Sequence, residues 1–210
     1  MDMNKFITKK TVKYKETKEE IINLTDLSWI KYLSKIPEEI SLDYNNFDIL
    51  WNIHPKKKGK IKIMGNEIET PRWQQSYGIS YQFSGTTNVA LPIPDIVQKY
   101  IDWANNYDNS KDKFNMALLN WYQDGEHYIG HHSDDEKQLI LNSPIYCFSF
   151  GEERDFVLKN KETKETKKIK LENNSLVIMG GECQKTHTHS IPKRKKANNK
   201  RISITLRKFK

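Results

Sequence analysis

Two pairs of residues at even spacings limit what this chain can fold into. His132 and Asp134 flank Ser133, and Arg201 and Arg207 bound the run Arg201-Ile202-Ser203-Ile204-Thr205-Leu206-Arg207. Side chains repeat with a period of two along a strand. In extended chain His132 and Asp134 therefore point the same way, and so do the two arginines. His189 lies between the pairs. These spacings predict a pocket built on strands.

The residue types predict its chemistry. Two imidazoles and one carboxylate on one face of iron form the facial triad of non-haem Fe(II) sites, which leaves positions open for a co-substrate and O2. Guanidinium groups recognise carboxylates through paired hydrogen bonds. Together the residues point to an iron centre that uses a dicarboxylate, 2-oxoglutarate. Periodicity alone does not choose the histidines. His131 precedes His132, and His187 shares a strand face with His189.

The chain has 210 residues, enough for one domain with a sizeable core. Aromatics at 11% and charged residues at 30% fit a folded soluble protein. No apolar run approaches the roughly 20 residues that cross a bilayer. The start, Met-Asp-Met-Asn-Lys-Phe, lacks the apolar core of a signal peptide. Cys147 and Cys183 are the only cysteines, so no disulfide framework is expected. The expectation is an intracellular monomer without membrane contact, nuclear in a eukaryote and otherwise cytoplasmic. Its reducing setting suits ferrous iron.

A net charge of +8 favours polyanionic partners. Its distribution is more informative. One cluster is Lys56, Lys57, Lys58, Lys60 and Lys62; another is Lys193, Arg194, Lys195, Lys196, Lys200 and Arg201. The second lies between His189 and Arg207, so it is expected to border the site.

Residues 1–20 are rich in lysine and glutamate and are expected to form a basic, flexible arm. Residues 25–36 read as a helix with Leu27, Ile30 and Leu33 as its stripe and Pro37 at its end. A second short helix is expected over 43–51. Ile61 to Asn66 reads as a hairpin turning near Gly65-Asn66. Pro94 opens a helix with Ile96, Val97, Tyr100, Ile101 and Ala104 at helical spacing. From Phe114 the pattern changes to strands, expected over 114–122, 145–151, 155–158, 168–171, 175–179, 185–191 and 201–207. Residues 161–166 read as a solvated hairpin tip. Helices before short strands predict an α+β fold with a double-sheet jelly roll.

Several runs then stand in one order. They are Leu118-Leu119-Asn120-Trp121-Tyr122-Gln123-Asp124-Gly125, Ile129-Gly130-His131-His132-Ser133-Asp134-Asp135-Glu136, Ser149-Phe150-Gly151, Arg154-Asp155-Phe156, His189-Ser190-Ile191-Pro192, and 201–207. In them the chain resembles the AlkB family of nucleic-acid oxidative demethylases, most of all the branch of animal homologues that repairs duplex DNA. The resemblance runs from about Pro71 to the C-terminus.

The resemblance implies a double-stranded β-helix with N-terminal helices and a nucleotide-recognition lid. Residues 21–210 would form one domain, with helices and lid over 21–112 and the jelly-roll core over 113–210. It implies Fe(II) on His132, Asp134 and His189, with His131 and His187 outside the ligand set. It implies 2-oxoglutarate gripped by Arg201 at its distal carboxylate, by Arg207 near C1, and by Asn120 and Tyr122. O2 is the second co-substrate.

The family's recognition lid matches Pro71-Arg72-Trp73-Gln74, Ser76-Tyr77-Gly78 and Tyr81-Gln82-Phe83-Ser84-Gly85. This implies an extruded base between Phe83 and His132, with Tyr81 and Arg72 nearby. Glu136, beside Asp135, could favour a base made cationic by methylation. Met64 stands where the family's duplex-probing finger carries its wedge. Lys193, Arg194, Lys195 and Lys196 would meet phosphates.

The activity implied is removal of N-alkyl groups from 1-methyladenine and 3-methylcytosine in DNA. Three rivals remain: an RNA demethylase of the same chemistry, a protein hydroxylase, and a non-catalytic nucleic-acid-binding module. The basic clusters and the Tyr81/Phe83 pair argue against the hydroxylase, and the intact ligand and arginine set argues against the module.

Overall fold

In the computed structural model, which describes residues 18–63, 65–83 and 86–210, a seven-stranded and a four-stranded sheet share a core. The chain begins with β1 (Glu19–Thr25), β2 (Ser28–Leu33), α1 (Tyr44–Asn52) and the hairpin β3 (Lys60–Ile63) with β4 (Asn66–Glu69). It continues through β5 (Trp73–Tyr77), β6 (Tyr81–Phe83), β7 (Thr86–Asn88) and α2 (Asp95–Asp108). The remaining strands are β8 (Met116–Tyr122), β9 (Ile129–His132), β10 (Ile145–Gly151), β11 (Arg154–Asn160), β12 (Thr166–Leu171) and β13 (Ser175–Gly181). One helical turn, α3 (Cys183–Thr186), leads into β14 (His187–Ile191), and β15 (Arg201–Arg207) ends the fold.

The large sheet runs β1-β2-β13-β10-β15-β8-β5 and the small one β12-β11-β14-β9. Their strands pair antiparallel throughout. This is the α+β jelly-roll arrangement expected, with α1 and α2 ahead of the catalytic strands.

Alternation decides what each face of the large sheet meets. Ile202, Ile204 and Leu206 of β15 join Tyr146, Phe148 and Phe150 of β10 and Leu119 and Trp121 of β8 on one face. Against that face α2 buries Val97, Tyr100, Ile101 and Ala104, the helical stripe legible in sequence. The opposite face contributes Ile30, Tyr122, Ile145, Val177 and Met179 to a second cluster. Phe156, Leu158, Ile169, Leu171 and Ile191 of the small sheet close it. Polar residues on this inner face, Arg201, Ser203, Thr205 and Arg207, are therefore buried between sheets.

The expected helix over 25–36 is instead strand β2. Its apolar residues do recur at three-residue steps, but Trp29, Ile30 and Tyr32 favour strands. β1 and β13 hold both edges of β2 and satisfy its backbone. Trp29 lies against Gly180 of β13, where a Cβ would sit 2.1 Å from the indole, so this register requires glycine. Leu27, assigned to the helical stripe, is 63% exposed at the β1–β2 turn. A second correction is smaller: residues 183–186 are helical, and the strand expected from 185 starts at His187. Of the expected arm, residues 1–17 lie outside the described residues, while Glu19 and Glu20 belong to β1.

The hairpin near Gly65-Asn66 forms as expected, with Ile63 opposite Asn66 and Gly65 at φ 82°. The left-handed region favours glycine there. Met64 lies outside the described residues, as do Ser84 and Gly85; Phe83 is described only as part of β6. Among the described residues no helix is long and apolar enough to cross a membrane.

Candidate functional site

Strand pairing builds the histidine pair. β14 lies beside β9, and the register sets His189 opposite His132 with ring centroids 4.2 Å apart. Asp134 follows β9 by two residues. Its backbone N–H donates to Gln184 Oε1 of α3 at 2.9 Å. Asp134 then presents Oδ1 3.7 Å from His132 Nε2 and Oδ2 4.0 Å from His189 Nε2. One donor atom from each residue falls within 4.8 Å of the others. His132 Nδ1 lies 2.9 Å from Gly130 O. A carbonyl can only accept, so Nδ1 carries the proton and Nε2 the lone pair. Phe156 stacks on the His189 ring at 5.4 Å.

The protonation states fit a metal. Burial pushes His189 down to about 3, aided by the neighbouring His132. Burial also lowers His132, against the pull of Asp134. Both imidazoles are neutral at pH 7, as metal ligands must be. Burial opposes ionisation of Asp134, but Arg207, His189 and His132 outweigh it and hold the carboxyl at about 2. Asp134 Oδ2 is buried without a hydrogen-bond partner among the described residues. Two neutral imidazoles and one ionised, under-bonded carboxylate form a donor set for a divalent transition metal.

The two arginines differ. Arg207 is already ion-paired: Nη2 lies 2.7 Å from Asp134 Oδ1 and Nη1 3.5 Å from Glu136 Oε1. Arg201 is 1% exposed, and among the described residues no carboxylate pairs with it. Its Nη2 donates to Ser149 Oγ at 2.9 Å, and its guanidinium lies 4.8 Å from the centre of the Tyr122 ring. Its Nε and Nη1 are buried and have no hydrogen-bond partner among the described residues. A buried cation without a counter-charge is costly. The site therefore fits an anionic carboxylate at Arg201. One cavity is lined by the His-Asp-His set together with Asn120, Tyr122, Arg201 and Arg207.

The other anticipated residues are distributed unevenly. Asn120 Oδ1 accepts from Arg72 Nε at 2.7 Å, so Arg72 backs the pocket from β5's edge, buried at 5% exposure. Arg72 also donates to Gln74 Oε1 at 3.1 Å. Tyr81 is buried beside Phe209, with Arg207 5.7 Å from its ring centre. Glu136 is buried on Arg207, and burial raises its carboxyl before Arg207 offsets part of that. Lys193 pairs with Glu126 at 2.9 Å; Arg194 donates to Glu153 O at 3.2 Å; Lys195 and Lys196 are exposed. His131 turns away from the cavity towards Thr188 and Ser190, each at 3.3 Å. His187 Nδ1 meets Thr186 Oγ1 at 2.8 Å instead of the triad.

Ser149, Phe156 and Gln184 touch this site and carry no role in the sequence analysis. Ser149 and Phe156 stand inside runs that were singled out, and period two along β10 could have turned Ser149 towards Arg201. No local pattern marks Gln184, whose bond to Asp134 joins segments fifty residues apart.

Comparison with known proteins agrees with this geometry. The family described as the 2OG-Fe(II) oxygenase superfamily matches residues 51–207. The chain is 34% identical over 161 residues to DNA oxidative demethylase ALKBH2 of Bos taurus, covering 71% of this chain and 57% of that protein. Against the Homo sapiens ALKBH2 the identity is 32%, covering 71% and 61%. The chain thus spans about three fifths of the length of these relatives. A solved structure, that of OsALKBH1, superposes with a TM-score of 0.57 at 16% identity, over 90% of this chain and 100% of the other. That likeness shows the jelly-roll fold. With the family match spanning most of its length and its donor set in place, the chain belongs to the 2OG-Fe(II) oxygenase superfamily and, within it, to the AlkB family, whose chemistry uses Fe(II), 2-oxoglutarate and O2.

Proposed function

We propose that this chain removes N-methyl groups from nucleic-acid bases, with 1-methyladenine and 3-methylcytosine in DNA as its substrates. The observation that carries the reading is the uncompensated Arg201 guanidinium in the same cavity as His132, Asp134 and His189. The substrate class is supported by the ALKBH2 relatives and by the lysine clusters.

In this reading His132, Asp134 and His189 hold Fe(II), and Arg201 holds the distal carboxylate of 2-oxoglutarate by paired hydrogen bonds. Arg207 holds Asp134 and Glu136 in place near the C1 end. Asn120 and Tyr122 shape the co-substrate side. The chemistry that iron, O2 and 2-oxoglutarate supply is hydroxylation of the N-methyl carbon, with succinate and CO2 as co-products. The resulting hemiaminal collapses to formaldehyde and the unmodified base. Phe83, Tyr81 and Arg72 receive the extruded base, and Glu136 favours its positive charge. Met64 fills the stack it leaves, and Lys193, Arg194, Lys195 and Lys196 meet phosphates.

The test is mass spectrometry of methylated oligonucleotides, DNA and RNA of matched sequence, incubated with the protein, Fe(II), 2-oxoglutarate and ascorbate. Loss of the methyl mass with release of formaldehyde and succinate is expected, faster on DNA. Faster turnover of RNA would reassign the substrate. No loss on either, with iron bound, would sink the proposal.

A further inference from the structure

The fold brings one lysine from each of the two clusters to the aromatic rings at one loop. Residues 123–128 join β8 to β9, and β9 carries His132. On one side Lys58 Nζ lies 5.4 Å from the centre of the Trp73 ring, and that ring packs 5.2 Å from His127. On the other side Lys193 Nζ lies 5.4 Å from the centre of the Tyr128 ring and 2.9 Å from Glu126 Oε2. His127 and Tyr128 each keep part of their surface in solvent. Lys56 and Lys57, next in sequence to Lys58, and Lys195 and Lys196, close in sequence to Lys193, are exposed.

Hydrogen bonds tie the loop to its surroundings. Buried Arg154 donates to His127 O at 2.9 Å and to Asp124 O at 3.1 Å. Arg72 reaches Tyr128 O at 3.5 Å. Gly125 N donates to Ala197 O at 2.7 Å, and Arg194 N to Gly125 O at 2.9 Å. A Cβ on Gly125 would sit 1.9 Å from Arg194 O, so this close approach of the lysine-bearing loop depends on glycine. Hydrogen bonds thus hold the carbonyls inward, while the two rings remain partly open between cations.

Aromatic rings flanked by lysines are the arrangement that binds single-stranded nucleic acid: cations follow the phosphates and rings stack on bases. In a duplex both faces of each base are covered by its neighbours, so only an unpaired base can stack here. Tyr128 precedes His132 by four residues, about 13 Å of extended chain, which sets the platform beside the target pocket and not in it. We infer that the loop 123–128, through Tyr128 and His127, is a stacking subsite for an unpaired nucleotide flanking the target base, with Lys58 and Lys193 on its phosphates. This rests on the reading that the chain acts on nucleic acid.

Equilibrium binding of the full chain at fixed salt tests it. The probes are an unmodified single strand, its duplex, and the same strand with base-free nucleotides. Tyr128→Ser should bind the base-bearing strand about tenfold more weakly and the base-free strand unchanged. Tyr128→Trp should restore binding, and His127→Ala should repeat the loss in smaller measure. Lys58→Gln with Lys193→Gln should weaken both single strands alike and flatten the salt dependence. The subsite is overturned if Tyr128→Ser binds the base-bearing strand like the parent chain, or loses equally on both strands. Turnover of a methylated strand is measured alongside. Turnover without any ring dependence in binding removes the subsite and leaves the activity; ring-dependent binding without turnover removes the activity and leaves the subsite.

Discussion

Arg207 and Asp134 form a buried ion pair that ties the two sheets together at the candidate metal centre. Nη2 lies 2.7 Å from Oδ1, and the side chains are 3% and 2% exposed. The same guanidinium holds Glu136 at 3.5 Å. Arg207→Met would leave two carboxylates buried side by side. Breaking a buried pair by removing one partner costs about 3–5 kcal/mol, so a large fall in stability is expected. The Asp134 carboxyl would also rise, weakening Fe(II) binding. Denaturant unfolding and anaerobic Fe(II) titration check both effects, and a variant matching the parent chain in both would refute this role.

Arg201 should act on the co-substrate and not on the metal. Its unpartnered Nε and Nη1 imply that a ligand carboxylate supplies the missing counter-charge. Loss of such a buried pair costs roughly 2–5 kcal/mol. Arg201→Ala should therefore raise the 2-oxoglutarate requirement by more than tenfold while Fe(II) affinity stays near that of the parent chain. An unchanged half-saturation in a 2-oxoglutarate titration at fixed iron would place the carboxylate elsewhere.

The ligand set separates neighbouring histidines. Ala at His132, Asp134 or His189 should abolish turnover and weaken Fe(II) binding. His131→Ala and His187→Ala should keep most of both, because those rings face Thr188, Ser190 and Thr186. A dead His187→Ala beside an active His189→Ala would reverse the assignment.

Acid should destabilise the metal-free protein through its two buried imidazoles. His189 is held at about 3 by burial, and burial also lowers His132, whereas both sit near 6.5 when unfolded. Below pH 6.5 the unfolded chain binds protons that the folded chain refuses. Stability contributed by these groups is thus full above about 6.5 and falls as pH drops towards 3. The slope approaches about 1.4 kcal/mol per pH unit for His189, and His132 adds to it in the same direction. Unfolding free energy between pH 7 and 5 should show this decline, and His189→Gln should remove one group's share. A flat profile would contradict the burial argument.

In the basic loop the charges are not equivalent. All three lysines are exposed, but Lys193 is paired with Glu126 and the neighbouring Arg194 with a carbonyl, while among the described residues Lys195 and Lys196 pair with no carboxylate. Lys195→Gln with Lys196→Gln should lower the salt slope of oligonucleotide binding by roughly 1.4 on a single strand, the value for two phosphates. An unchanged slope would assign these lysines to solubility.

The strands of the catalytic core were legible because their chemistry is local. β10 and β15 lie where their residue patterns place them, residues 145–151 and 201–207. Period two alone put Arg201 and Arg207 on one face, and 3.6-residue spacing marked α2. β2 was not legible, since Leu27, Ile30 and Leu33 fit a helical stripe as well as a strand. What decided it was a pair of neighbouring strands, β1 and β13, ready to take its backbone hydrogen bonds.

By itself the sequence determined the donor types and their order: histidine, aspartate, histidine, then two arginines. It did not determine how those groups would share charge. Only the tertiary structure assigned Arg207 to Asp134 and Glu136 and left Arg201 without a carboxylate among the described residues. It also set His132 and His189, the pair that the resemblance to the AlkB family implies, opposite each other across β9 and β14, which periodicity alone did not choose. The physical reason is that periodicity is a property of a few consecutive residues. Ion pairing and desolvation depend on which distant segments the two sheets bring within about 4 Å, where a low dielectric makes each charge count.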